Sequence, residues 1–376
     1  MSSWVKNINL EGDRTIWGVV LALSLSSILV VYSTAGWHFL FSHITKLLLG
    51  LFAMYVVHKI KFKYFSKIGQ LGFLFSLFLL VLVLLIGVSV NGASRWLQIA
   101  GQQFQPSDVA KLAILVYMAR QISKQRDYLH DFKELFWHVL GPLILVCVLI
   151  LPNNFSTAAL VFINGLVLMF VGKIRIKFIA AIIGFAFVGA LTIYATAKFT
   201  PLGTKIMPRS ATWVSRIDSY FVDAKGDEQT KDFQQTQALV AIQNGGMTGV
   251  GPGKSTQRNI LPYSSSDFIY AIIIEEYGLF GGVLALLFYL ILMFRAIRIA
   301  LRVESVFGSL LATGLMFSLV FQALINMLVS VEVLPVTGQT LPLISMGGTS
   351  IVFSCIAIGI VLSVSRDATD RKYEKA

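Results

Sequence analysis

A long hydrophilic stretch ends in Ser264-Ser265-Ser266-Asp267 and meets, at Phe268, an apolar segment long enough to enter a membrane. Serine and aspartate ahead of an apolar run form an N-cap signature, so one role for Asp267 is to accept hydrogen bonds from the first backbone N–H groups of a helix. A carboxylate in that place would also sit, ionised and wet, at the mouth of a membrane-embedded cavity, where it could act as a general base on a lipid-linked substrate. The two roles are compatible.

Glu275 and Glu276 follow on the same predicted helix. Carboxylates inside a span are costly and face the bundle interior or a water-filled cavity. A buried cation, Lys111 or Lys46, is the expected partner, which puts a structural role for both glutamates ahead of a catalytic one. In Gln105-Pro106-Ser107-Asp108-Val109-Ala110-Lys111, proline opens a helix and Asp108 and Lys111 stand on one face, three residues apart. They form an intrahelical ion pair or line a polar cavity in which Lys111 meets a phosphate or Glu275. Arg95 lies in Asn91-Gly92-Ala93-Ser94-Arg95-Trp96, beside a tryptophan of interfacial type. It is a headgroup anchor or a guanidinium clamp for a phosphate or diphosphate. The run Gly249-Val250-Gly251-Pro252-Gly253-Lys254-Ser255 has the look of a nucleotide-binding loop, but Thr248 occupies the place of its first glycine and no strand precedes it. It reads as a glycine-rich turn able at most to form an anion-binding nest.

These residues need a scaffold, and composition fixes its class. Of 376 residues 56% are hydrophobic and 13% charged, with mean hydropathy +0.75, far from a soluble domain. An all-α polytopic membrane protein is predicted, with about ten spans near 15–35, 38–58, 68–90, 105–121, 136–152, 155–172, 177–198, 268–294, 305–331 and 343–365. It forms one domain over 1–376, with a large extracytoplasmic loop at about 199–266 between spans seven and eight. In that loop Trp213, Ile217 and Phe221 recur every four residues, predicting an amphipathic helix on the membrane surface or over the bundle. The first apolar run reads as a retained helix, since no small-residue cleavage pattern follows it. Cys147 and Cys355 fall in apolar runs as packed thiols, and the five histidines lack metal-site spacing.

The net charge of +12 is a matter of topology. With ten spans, Lys6 and Arg14, Lys59 to Lys67, Arg120 to Lys133, Lys173 to Lys177, Arg295 to Arg302 and Arg366 to Lys375 all collect on one side. The short loops of the other side carry Arg95 alone. This positive-inside pattern puts both termini in the cytoplasm and makes nucleic-acid binding unnecessary as an explanation.

Four segments together carry a family likeness: Asn91 to Leu97, Gln105 to Ala113, Leu261-Pro262 through Asp267 to Gly278, and Leu334 to Gly348. Spread in order over most of the chain, they resemble the SEDS membrane proteins, whose members FtsW and RodA polymerise peptidoglycan from lipid II. Gly92 to Trp96 and Thr340 to Ser345 are more similar to the FtsW branch than to RodA. The resemblance implies a metal-independent or metal-assisted inverting glycosyltransferase of the cytoplasmic membrane, serving division or elongation. It implies Asp267 as catalytic residue, taking the proton from the acceptor hydroxyl. Arg95, Lys111, Arg216 and Lys254, in that order, are the cations for the diphosphate, with Asp108, Glu275 and Glu276 also in the substrate site. The sequence shows no metal cage, so a divalent cation such as magnesium or manganese is an optional participant. A class B penicillin-binding protein is the implied partner. Three departures stand out: Asn153 where the family has aspartate after proline, Asp108 for glutamate, and Met346 for an aromatic. A lipid II flippase or other transporter without polymerase activity is the alternative, in which Asp267 only binds or caps; a scaffold for a transpeptidase is a third.

Overall fold

The computed structural model describes residues 11–90, 93–99, 101–200, 210–223 and 233–374. Of the positions read above, Lys6, Asn91, Gly92 and Lys375 lie outside them, as do 201–209 and 224–232 of the large loop. The helices are α1 (Arg14–Lys59), α2 (Phe65–Ile86), α3 (Pro106–Lys124), α4 (Phe132–Ile150), α5 (Phe155–Val171), α6 (Ile176–Phe199), α7 (Ser210–Asp223), α8 (Phe233–Gly245), α9 (Ile269–Arg302), α10 (Val306–Ser330) and α11 (Gly348–Glu374).

Helix α1 runs for 46 residues. Straight, it would be about 69 Å long, roughly twice what a hydrocarbon core needs. It reverses instead at Gly36, whose φ of 74° is open to glycine and strained for other residues. The hydroxyl of Ser27 lies 2.7 Å from His43 Nε2, 16 residues on, where a straight helix would hold them about 24 Å apart. The two arms match the first two predicted spans.

The same device interrupts α9 at Gly278, with φ 69°. Tyr270 OH donates to the Gly282 carbonyl at 3.2 Å, so the first arm, 269–277, folds back on the second. A single span over 268–294 was the expectation; the crossing is made by residues 279–302, and Glu275 and Glu276 sit at the reversal. With α1 counted as two, the arm 279–302 joins α2 to α6, α10 and α11 in a ten-span arrangement. Seven described helices meet length and hydropathy limits outright, whereas α3 carries charge and α5 has 17 residues.

One departure from an all-α chain links α2 to α3. Strands β1 (Val88–Val90), β2 (Ala93–Ile99) and β3 (Gln102–Phe104) form an antiparallel sheet in that order, with Val88 opposite Trp96 and Leu97 opposite Phe104. Polar contacts mark two faces. On one, Asp13 caps α1 and takes Arg295 Nε at 2.8 Å, while Arg366 donates to the Lys59 carbonyl at 3.1 Å. The two reversals, the sheet and Asp267 lie toward the other.

Candidate active site

From Leu261 to Phe268 the chain runs through turns before α9 begins, and its backbone is fixed in part by side chains from elsewhere. Tyr263, at φ 59°, turns so that its carbonyl accepts from Ser266 N at 2.9 Å and Asp267 N at 3.1 Å. The Asn326 side chain of α10 donates to the carbonyls of Asp267 and Gln339, each at 2.7 Å, tying this turn to the loop between α10 and α11. One helical turn below, Gln322 donates to the Thr340 carbonyl at 2.9 Å. Ser345 completes the seam, donating to the Ser266 carbonyl at 2.6 Å, while Met346 N reaches the Ser265 carbonyl at 2.8 Å. Two irregular loops thus meet with several of their backbone groups paired across the seam, the arrangement irregular backbone needs where it is buried in protein or lines a cavity.

The capping role open to Asp267 is not taken: α9 begins at Ile269, its N-cap is Phe268, and no side chain caps it. The Asp267 carboxylate stays half-buried. Burial pushes its carboxyl above the ordinary range, opposed by the Ser266 hydroxyl and by the charges of Arg216 and Arg95, which pull it down. An addition at Gly338 would come within 3.7 Å of its Oδ2.

Both arginines are held by backbone carbonyls. Arg95, on β2, donates through Nε to Asn153 at 2.8 Å, and Arg216, on α7, donates to Val336 at 2.9 Å. Asn153 stands where the resembled family has aspartate; here its carbonyl anchors Arg95, and Asn154 caps α5 through Thr157 N at 3.1 Å. The predicted helix carrying Trp213 is α7, and the Trp213 ring packs 5.2 Å from Phe155 at the start of α5. A carboxylate with a raised affinity for protons, beside two guanidinium groups, can accept a proton while a negative charge develops next to it.

The other predicted residues part into separate places. Lys111 donates to Gln322 at 2.6 Å, with Asp108 Oδ1 at 3.9 Å, and Asp108 accepts from Thr349 at 3.0 Å. This buried chain ends on the Gln322 that holds Thr340, so it supports the loop facing Asp267. The expected pairing of Lys111 with Glu275 is corrected: the glutamate instead accepts from Ser255 and Thr256 side chains and, at 3.1 Å, from Thr256 N. Glu276 accepts from Ser33 in the first arm of α1. Both glutamates are buried; the Glu275 carboxylate fastens the glycine-rich turn, whereas the Glu276 carboxylate ties the reversal to α1 and only its backbone carbonyl, accepting from Gly251 N at 3.0 Å, holds the turn. Lys254 is exposed on that same turn, and the charges that act on Asp267 are those of Arg216 and Arg95. Asn326 and Gln322 were not singled out from sequence; two amides four residues apart in an apolar span are the signal that finds them. Among the described residues no three His, Cys, Asp or Glu side chains converge for a metal.

The sequence profile of the FtsW, RodA and SpoVE cell cycle proteins matches residues 11–370. The probable peptidoglycan glycosyltransferase FtsW of Geobacter sp. (strain M18) is 31% identical over 358 residues, 93% of this chain and 93% of its own. Stage V sporulation protein E of Bacillus subtilis is 33% identical over 322 residues, 85% of this chain and 84% of its own. A solved chain from a peptidoglycan synthase complex, in which polymerisation and crosslinking are coordinated, superposes with a TM-score of 0.76 at 24% identity, covering 95% of this chain and 98% of its own. Rod shape determining protein RodA of Thermus thermophilus gives 0.67 at 24% identity, over 95% and 97%.

Proposed function

The chain belongs to the FtsW, RodA and SpoVE family of cell cycle proteins, and we propose that Asp267 is the base with which it lengthens glycan strands. It is an FtsW-like peptidoglycan glycosyltransferase of cell wall synthesis, an integral membrane protein. The substrate on this reading is lipid II. Asp267 takes the proton of the acceptor 4-hydroxyl as that oxygen bonds to the anomeric carbon of the donor. The bond from that carbon to the diphosphate breaks, and the undecaprenyl diphosphate leaves with the electron pair, so the α-linked donor becomes a β-1,4 link. The leaving group is already a weak base, which makes one carboxylate sufficient. Arg95 and Arg216 face the charge that grows on the diphosphate. A divalent cation carried in by the diphosphate would share that charge.

The observation that supports this reading most is the half-buried Asp267 carboxylate under the opposing pulls of burial and the two arginines. Lys111 and Asp108 keep the loop in place; at one remove, Glu275 fastens the outer turn and Glu276 ties the reversal of α9 to the first arm of α1. A class B penicillin-binding protein is the proposed partner. The basic face, with both termini, lies in the cytoplasm, and Asp267 works at the outer leaflet of the cytoplasmic membrane. Purified protein with labelled lipid II tests the assignment: Asp267→Asn should make no strands over a time in which wild type makes many. Strands from the variant at the wild-type rate would end the base assignment. Lipid II crossing a vesicle membrane without any polymer would favour the transporter.

A further inference from the structure

On the face opposite Asp267, the ends of α3 and α5 are pressed together. A methyl group added at Gly172 would lie 2.6 Å from Ile122. The two loops beyond these ends are each pinned by one apolar side chain, Leu129 and Ile174, both buried in the core. Between them opens a cavity of about 210 Å³, lined by Arg126, Asp127 and His130 on one wall and by Lys173 on the other. That volume is far more than the ~10–15 Å³ a single water needs, and it leaves room for a phosphate and the atoms next to it.

Three features distinguish it from scattered basic residues. Among the described residues, no hydrogen bond or ion pair to another side chain engages the Arg126 guanidinium or the Lys173 ammonium. Lys173 holds φ 61°, a left-handed backbone that glycine adopts freely and lysine does not, at a helix end where Gly172 is the neighbour. Exposed aromatic residues stand in the loop and at its end, Tyr128 between Asp127 and Leu129 and Phe132 at the start of α4, as at a membrane interface. A guanidinium and an ammonium on facing walls match a phosphate better than a carboxylate, with Asp127 left to accept from a hydroxyl beside it.

We propose that this cavity binds the phosphate of a net-negative phospholipid headgroup from the inner leaflet. The membrane surface there attracts basic segments generally; the two facing walls make the binding local. Full-length protein in phosphatidylcholine nanodiscs, with and without phosphatidylglycerol, tests it by thermal unfolding and by native mass spectrometry of retained lipid. Wild type should melt higher with phosphatidylglycerol and retain it. The pair Arg126→Gln and Lys173→Gly should lose at least half of that shift and the retained lipid, while remaining folded, because glycine relieves the strained position. A charge-matched pair outside the cavity, Arg298→Gln and Arg302→Gln, should keep both. In a third arm inorganic phosphate replaces the anionic lipid; an equal shift from it, lost in the cavity pair, would assign the same site to a soluble phosphate. An unchanged shift in the cavity pair, or an equal loss in the outer pair, would overturn the proposal.

Discussion

At Asp267 two requirements collide, and each has a measurable side. A base must be ionised, yet the fold raises the affinity of this carboxyl for its proton. The rate of strand synthesis should therefore fall as pH drops through a value above the ordinary ~3.9 of aspartate. Arg216→Gln removes a charge that holds the value down, so its acidic limb should move to higher pH, and Arg95→Gln should move it the same way. Asp267→Asn should lower the rate on the order of 10²- to 10⁴-fold, the usual worth of a positioned base. Its melting temperature should tell the opposite story. A carboxyl with a higher folded than unfolded value contributes stability below the unfolded value and loses it as pH rises through the folded one. At neutral pH the asparagine variant should thus melt at or above wild type, and the gap should close in acid. Asp267 itself was legible in sequence from its place between a polar loop and an apolar run. Its freedom from the cap was not, because a one-residue shift of the helix start decides it.

The elements that aim Asp267 are held by amides and glycines. Asn326→Ala strips the donor from two carbonyls and should cost on the order of 1 kcal/mol for each, read as a lower melting temperature with a lower rate. Gly249 tests the glycine-rich turn: at φ 81°, a Cβ there would also lie 2.2 Å from the Glu276 carbonyl. Gly253, at φ 75°, has nothing within 4 Å of that position. Gly253→Ala should cost only the left-handed strain, about 1–2 kcal/mol, whereas Gly249→Ala should displace the turn and abolish activity. Hydropathy revealed where apolar helices lie but not where they reverse. The arms of α1 were separable because polar and small residues thin the pattern near Gly36. In α9 apolar residues resume directly after Glu275-Glu276-Tyr277-Gly278, so hydropathy reads through the reversal as one span, and the reversal and the true surroundings of Glu275 and Glu276 come only from packing.

For the molecule as a whole, the charge pattern makes a directional prediction. Lys254→Cys should react with a membrane-impermeant thiol reagent added outside cells, and Arg302→Cys only after the inner side is opened; both positions are exposed. The native thiols should add little background, with Cys355 buried and Cys147 half-buried in its helix. Number of spans and basic face were readable from composition, since bilayer thickness and lysine and arginine placement are one-dimensional properties. Arg95 and Arg216 were grouped with Asp267 through the family resemblance; composition and spacing alone could not do so, because the meeting joins a strand, a loop helix and a turn that lie far apart in the chain, and the same grouping also drew in Lys254, which is exposed on the outer turn. One more consequence belongs to α10. Ser318, Gln322, Asn326 and Ser330 fall every fourth residue along it, and all are buried. A nascent helix released sideways from the insertion machinery would show that ladder of amides and hydroxyls to acyl chains. Those groups find their cover in the earlier-made neighbours α3 and α5 and in the loop before α11, so α10 suits lipid only once that company is in place.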